Sequence, residues 1–449
     1  MRILIATVPF SGHFNPLTAV AARLHEQGHE VRWYAAPSLV PRVEALGVAA
    51  EPYRRAVEVS DDNVAERHPE RAKLKGPKRL SFDFARVFTD NIPSQVTDLT
   101  DLHNVWPFER LVCDSAFFAA SILGPKLDVP VHTVSPGPSL VPSHDVPPPF
   151  FGLRPARHIF DRLVHRVIEA MVESTMKEGL VTFNQARAEE RLVPLKPGQV
   201  LGAVEAIAQR TYQVGIPQVE FPRTELPAGF EYVGALLPRV VTGISTHPAL
   251  DRITTWPGQV VVVSQGTVDN RDHDKLLVPA LEALACDDVL VVAVTGGSGT
   301  DALRRRFTSP NVIIADHIDF AALFPHTDLF VCNGGNGSVL LALAHGVPLV
   351  LAGTREGKND INARLAWNGL AVDLRTEHPK PTTIARAADS VLDDPAMRDR
   401  VARVSEQLAA YDSVDLVTRG ILSSVLGAKT APPQPIVTHV DPASFRSTT

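Results

Sequence analysis

Cysteine is scarce in this chain of 449 residues: there are three, Cys113, Cys286 and Cys332, none of them in a Cys-x-x-Cys spacing and each within an apolar run. That excludes a disulfide framework and a thiolate metal site, because a thiol so placed behaves as a small hydrophobe. A dominant charge is also lacking. The formal net charge is −6 with Lys and Arg scattered along the chain, so no long-range field gathers nucleic acid or an anionic membrane. Any phosphate must be held locally. The opening MRILIATVPF carries one positive charge and an apolar run broken at Pro9, too short for a signal or spanning segment. A cytoplasmic protein, neither exported nor stably membrane-associated, is the expectation. The first strand is not followed by GxGxxG with an acidic residue about 20 positions on, which removes the main mark of a nicotinamide-dependent oxidoreductase.

What is present is ordinary for a folded protein: 45% hydrophobic and 21% charged residues. The length exceeds what one core usually serves, so two domains are expected. Residues 2–8 read as a strand, SGHFNP as a turn, and Leu17, Val20, Ala21 and Leu24 as a helix closed by Gly28, before the strand HEVRWYAA. Strand, helix, strand in about 35 residues is a right-handed βαβ unit with a parallel sheet. RLVCDSAF, AASILGPKL and VPVHTVS repeat it.

Residues 136–155 are too rich in Pro and Gly for a regular element and read as a long loop, a kind of segment that usually serves binding or gating. A helical stretch covers 157–192, and EYVGAL at 231–236 reads as a strand. After a linker the alternation resumes with VVVVSQGT, DVLVVAVTG, NVIIAD, DLFVCNGG and VPLVLAG as strands, and residues 383–427 are helical by pattern. The expected division is 1–237 as a first domain, 238–257 as linker, 258–428 as a second domain whose last helices pack back on the first, and 429–449 as a loose tail.

Ligands of parallel sheets sit outside the carboxyl ends of the strands. His13 follows the first strand there, although a lone histidine in that position is more often a cap or a surface residue. NGGNGS at 333–338 ends a strand and opens a helix, so Gly334, Gly335 and Gly337 can let backbone N–H groups approach a phosphate, with Ser338 adding a hydroxyl. Such glycines can equally serve packing. SQGTVDN brings Ser264, Gly266 and Thr267 to the same sheet edge. Two donor-rich loops then converge on one crevice.

The opening ILIATVPFSGHFNPLTAVAARLHEQGHEV, the SQGT segment, and PHTDLFVCNGGNGSVLLALAHGVPLVLAG continuing to NARLAWNGLAV resemble the UDP-glycosyltransferase superfamily, and within it the bacterial macrolide and natural-product glycosyltransferases. The match follows the chain to about residue 375. The resemblance implies a GT-B fold, two Rossmann-like α/β domains facing across a cleft. It also implies an inverting, metal-independent transfer of a hexose or deoxyhexose from a dTDP- or UDP-sugar to a small lipophilic acceptor. His13 takes the place of the family's general base and Asp114 that of its orienting carboxylate. The chemistry is apt, since an imidazole titrates near neutral pH and a carboxylate on its far nitrogen fixes the tautomer. No cofactor, no metal and no nucleic acid are implied, and the chain is expected to be a monomer or weak homodimer.

Departures from the family are specific. Asn333 replaces the histidine of an HGG run, and a histidine restored there is expected to tighten nucleoside diphosphate binding. Lys358 and Asn359 occupy the positions of an Asp-Gln or Glu-Gln pair that grips sugar hydroxyls. Glu356 is a candidate substitute carboxylate, and Asp360 reads as part of a solvated charged turn. His317 and Ile318 match the base-binding positions, and Leu341 stands where users of uridine donors carry a ribose-binding Glu. The acceptor pocket is expected to draw on Phe82, Phe84, Phe117, Phe118, Phe150 and Phe151, most of which suit the core as well. A catalytically silent homologue acting as a binding partner is the competing reading, with Asn333 and Lys358 as decay of the donor site.

Overall fold

The computed structural model describes residues 1–141, 143–239, 247–266, 270–285 and 288–423. Two sheets of parallel strands organise them. The first contains β1 (Arg2–Ala6), β2 (Glu30–Ala35), β3 (Ala49–Pro52), β4 (Arg110–Asp114), β5 (Val131–Ser135), β6 (Arg210–Gln213) and β7 (Phe230–Tyr232), in the order β3-β2-β1-β4-β5-β6-β7. The second contains β8 (Gln259–Ser264), β9 (Val289–Val294), β10 (Val312–Ala315), β11 (Leu329–Cys332), β12 (Leu349–Leu351) and β13 (Ala371–Asp373), in the order β10-β9-β8-β11-β12-β13. Five helices bear on the site: α1 (Ser11–Glu26), α2 (Ile159–Glu189), α3 (Asn336–Ala344), α4 (Lys358–Trp367) and α5 (Ser413–Leu422).

The strand order reverses between β1 and β4 in one sheet and between β8 and β11 in the other. These switch points open the crevices in which doubly wound sheets bind ligands. Both sheets are covered on two faces. Val260, Val261, Val262 and Val263 are all buried, as a continuous apolar strand in such a sheet must be. Each contributes about 1.5–3 kcal/mol of burial. One apolar cluster runs from Ile3, Ile5, Val112 and Val134 through Val417 and Ile421 of α5 into the second sheet. The other face of the first sheet packs Leu4, Ala6 and Cys113 on Phe117, Phe118 and Phe183.

Several elements differ from the sequence reading. SGHFNP is not a turn but the start of α1, which begins at Ser11 and includes Pro16. The cap comes from afar: Asp61 Oδ2 accepts the Ser11 N–H at 2.8 Å; Pro16, in the second turn, lacks the N–H that would bond the Gly12 carbonyl. The strand at 231–236 is shorter, Phe230–Tyr232, because Gly234 turns the backbone with φ +75° and lets Tyr411 approach where a Cβ would stand 2.5 Å away. β3, β6, β13 and α4 are additional.

The helical stretch from 383 is three helices, Pro381–Leu392, Pro395–Ala409 and α5. α5 lies on the first domain, with Gly420 against the Tyr212 hydroxyl. Of the linker at 238–257, residues 240–246 lie outside the described residues, as does the tail at 429–449. Among the described residues no helix is long and apolar enough to cross a membrane.

Candidate active site

Asp114 ends β4 at the first switch point and is fully buried. Its Oδ2 accepts the Val8 N–H at 2.8 Å, and its Oδ1 accepts the Ala116 N–H at 2.8 Å. The same Oδ1 lies 2.8 Å from His13 Nδ1. A carboxylate held by two backbone donors can only accept, so Nδ1 carries the hydrogen and Nε2 keeps its lone pair. His13 is in the first turn of α1 rather than in a loop, and its side chain is 27% exposed. Phe10 meets the imidazole edge-on at 6.4 Å between centroids and packs on Phe88 at 5.7 Å. Neither phenylalanine was singled out from the sequence, although Phe10 stands three residues from His13.

Asp61 is a further residue without a sequence signal. Burial raises its carboxyl pKa, hydrogen bonds from Ser11 oppose this, and the charges of Glu356 and His13 act on it in opposite directions. Glu356, on the second domain, is near enough for its charge to act on Asp61. Asp61 thus has His13 within electrostatic reach as well. Even so, among the described residues no group of three or more His, Cys, Asp or Glu is placed to hold a metal ion.

The second switch point holds the glycine loop. Gly335 caps α3, and the first-turn N–H groups of Asn336, Gly337 and Ser338 have no intrahelical acceptor, which leaves a concentrated positive end. A Cβ on Gly337 would meet nothing within 4 Å, whereas one on Gly334 would lie 1.9 Å from Asn362 Oδ1. Gly334 is thus a packing glycine with φ +89°, and its N–H is directed at the Cys332 sulfur. The Ser338 hydroxyl turns back to the Gly335 carbonyl at 2.9 Å. Ser264 ends β8 and accepts the Gly266 N–H at 3.1 Å. Thr267 lies outside the described residues. Asn333 Nδ2 donates to the Gln265 carbonyl at 2.5 Å and so ties the two donor loops together.

Ile318 is buried and His317 exposed, the latter with Nε2 3.2 Å from where a Cβ on Gly297 would stand. Leu341 is half-buried against the core. Lys358 Nζ pairs with Glu356 Oε2 at 2.8 Å. Asn359 Nδ2 donates to the Phe150 carbonyl at 2.7 Å. Asp360 is not in a solvated turn: it is 6% exposed and accepts the Phe150 N–H at 2.5 Å and the Gly152 N–H at 2.8 Å.

Farther along α4, Arg364 Nε meets Glu220 Oε2 at 2.7 Å with both side chains buried. Asn336 Nδ2 reaches the Pro136 carbonyl at 2.5 Å. Through these contacts α4 and the first turn of α3 are tied to the first domain and to its long loop.

The six candidate acceptor phenylalanines separate. Phe84, Phe117 and Phe118 are buried in the core, with Phe84 and Phe118 in edge contact at 5.9 Å, which corrects their assignment to a pocket. Phe82 is half-buried against His68 at 5.4 Å. Phe150 and Phe151 are half-buried on the loop facing α4.

Residues 280–420 match the family model described as erythromycin biosynthesis protein CIII-like, C-terminal domain. Over 92% of this chain and 97% of the relative, the sequence is 35% identical to 4'-demethylrebeccamycin synthase of Lentzea aerocolonigenes. It is 29% identical to UDP-glycosyltransferase 2 of Phaeomoniella chlamydospora over 94% of this chain and 95% of that one. In structure it is similar to the calicheamicin glycosyltransferase CalG4, with a TM-score of 0.73 at 21% identity, covering 95% of this chain and 99% of the other.

Proposed function

The chain belongs to the UDP-glycosyltransferase superfamily, in its natural-product branch, and is a glycosyltransferase of GT-B fold; on that premise we propose an inverting transfer from a nucleoside diphosphate sugar to a small lipophilic acceptor, with His13 as base. The observation that carries this is the 2.8 Å contact of His13 Nδ1 with the buried Asp114, across the cleft from the N-terminus of α3. Nε2 takes the proton of the acceptor hydroxyl as that oxygen attacks the anomeric carbon. The bond from that carbon to the diphosphate oxygen breaks, and the configuration inverts because attack and departure are on opposite faces. Asp114 stabilises the imidazolium.

The leaving diphosphate gathers negative charge, which the free N–H groups of Asn336, Gly337 and Ser338 and the helix dipole oppose. No metal is required in this scheme. The donor is proposed to be a dTDP-sugar, used at least as well as the UDP-sugar, because Leu341 offers a ribose 2′-hydroxyl no acceptor. Mass spectrometry of products from a panel of nucleotide sugars with polycyclic phenols and macrolides tests the proposal. Transfer to at least one hydroxyl acceptor, lost in His13→Ala, is the expected result. Full transfer by His13→Ala to a non-acidic alcohol contradicts it.

A further inference from the structure

α2 has two apolar faces, and the molecule uses one. In its C-terminal half Val172, Met176, Leu180 and Phe183 are buried against the first domain. Between residues 159 and 171 nothing is buried. Ile159, Phe160, Leu163, Val164 and Val167 are each between 51% and 79% exposed. At helical spacing they form a single stripe nearly opposite the buried face.

The surroundings of the stripe are basic although the whole chain is acidic. Arg154, Arg157, Arg162 and Arg166 are exposed, and residues 154–171 contain two acidic side chains, the exposed Glu169 and Asp161. The Asp161 carboxylate is turned onto the Arg157 and His158 N–H groups at 2.8 and 3.1 Å as the helix cap. Arg157 lies over the Trp367 ring at 4.8 Å. Arg162 and Arg166 form no ion pair among the described residues, and by helical geometry they border the stripe on one edge.

We propose that this half of α2 is a docking surface for an anionic lipid bilayer, its apolar stripe entering the acyl-chain boundary and its arginines meeting headgroup phosphates. An exposed helix with an apolar stripe and an arginine edge is the arrangement that lies in a membrane interface. A second copy of the chain fits less well. The stripe offers five apolar side chains, far fewer than the roughly 20–30 residues a side of a stable protein interface.

The surface goes beyond the transfer reaction and does not depend on it. Where that reading holds, there is a consequence: the loop carrying Phe150 and Phe151 runs directly into this helix, so a lipophilic acceptor dissolved in the bilayer is met beside its pocket.

The test is sedimentation of the full chain with phosphatidylcholine vesicles and with vesicles enriched in phosphatidylglycerol. Binding to the anionic vesicles at least about tenfold stronger is expected, weakening as salt is raised. Leu163→Glu and the double variant Arg162→Glu/Arg166→Glu should each remove it. Both sit on exposed positions, so thermal melts and turnover of a water-soluble phenol without vesicles should match wild type. Failure of wild type to bind, or equal binding by the variants, overturns the proposal. So does a wild-type dimer that Leu163→Glu converts to monomer while neither protein binds vesicles, since the stripe is then covered by a second copy.

Discussion

Asp360 and Phe150 meet across the cleft: a buried carboxylate in the first turn of α4 accepts the N–H of a phenylalanine held at φ +76° in the long loop of the other domain. A bulky residue in the left-handed region costs roughly 1–3 kcal/mol and persists only where its surroundings over-determine it. Here Asp360 also takes the Gly152 N–H, and Asn359 returns a bond to the Phe150 carbonyl. Asp360→Ala should release the loop and raise the acceptor KM by about tenfold, the equivalent of one lost charge-assisted bond, with the donor KM little changed. Steady-state kinetics with each substrate varied in turn checks this, and an unchanged acceptor KM would detach the loop from acceptor binding.

His13→Ala is expected to lower kcat by about 10²–10⁴, the usual effect of losing a general base, without weakening nucleoside diphosphate binding. Asp114→Asn should fall in the same range for another reason. The amide can donate to Nδ1 and favour the tautomer whose Nε2 already carries a hydrogen. Kinetics together with calorimetric titration of the diphosphate separates turnover from binding.

Position 333 reverses an expectation. Judged by resemblance, Asn333→His adds a diphosphate contact. In the structure the Asn333 amide holds the Gln265 carbonyl at 2.5 Å, and an imidazole loses that tether. Asn333→His should therefore bind the free diphosphate more weakly, by about 1 kcal/mol or roughly fivefold. Tighter binding in calorimetry would show that the two loops hold together without the amide.

Leu341 bears on the donor nucleotide. A ribose 2′-hydroxyl enclosed against a leucine loses water without compensation, at roughly 1–3 kcal/mol, whereas a deoxyribose does not. The expected kcat/KM favours dTDP-glucose over UDP-glucose by up to about 100-fold, and Leu341→Glu should narrow the gap. A strong wild-type preference for UDP-glucose, unchanged in the variant, would leave Leu341 as packing alone.

Two buried groups give the stability a pH dependence of opposite signs. Burial raises the Glu205 carboxyl to about 7 from 4.5, so the fold keeps a proton that the unfolded chain releases. Stability is full below about 4.5 and is lost as pH rises to about 7, by at most roughly 3 kcal/mol. His132, stacked on Tyr212, is pushed down to about 3 by burial and by Arg110 and Arg210. Its contribution is full above about 6.5 and is lost as pH falls towards 3. Melting curves from pH 5 to pH 8 should fall less steeply for Glu205→Gln than for wild type, and parallel curves would mean that Glu205 is charged in the fold.

Much of the architecture was legible because it rests on local pattern. Continuous apolar runs such as VVVV at 260–263 mark strands buried on both faces, and strand-to-helix glycines mark a sheet edge where a helix begins, whatever the rest of the chain does. His13 and the 333–338 run stand beside strand ends, so their location at sheet edges follows from a few neighbouring residues. β3 and β13 were less visible because AAEP and AVD hold no continuous apolar run, whereas the equally short β12, LVL, does.

Pairings between distant residues were decided only by the tertiary structure. Whether Phe117 lines a pocket or fills the core depends on helices contributed from elsewhere in the chain. Whether Asp360 is solvated depends on a loop 210 residues away. Asp61 caps α1 from a segment 50 residues on, and nothing in its neighbours' identities records that. Local sequence determined which residues could make strands, caps and phosphate-facing turns. Burial and hydrogen-bond partners across the cleft were set by how the loops and helices of the two domains meet, because a charged or apolar side chain takes its role from what surrounds it in space.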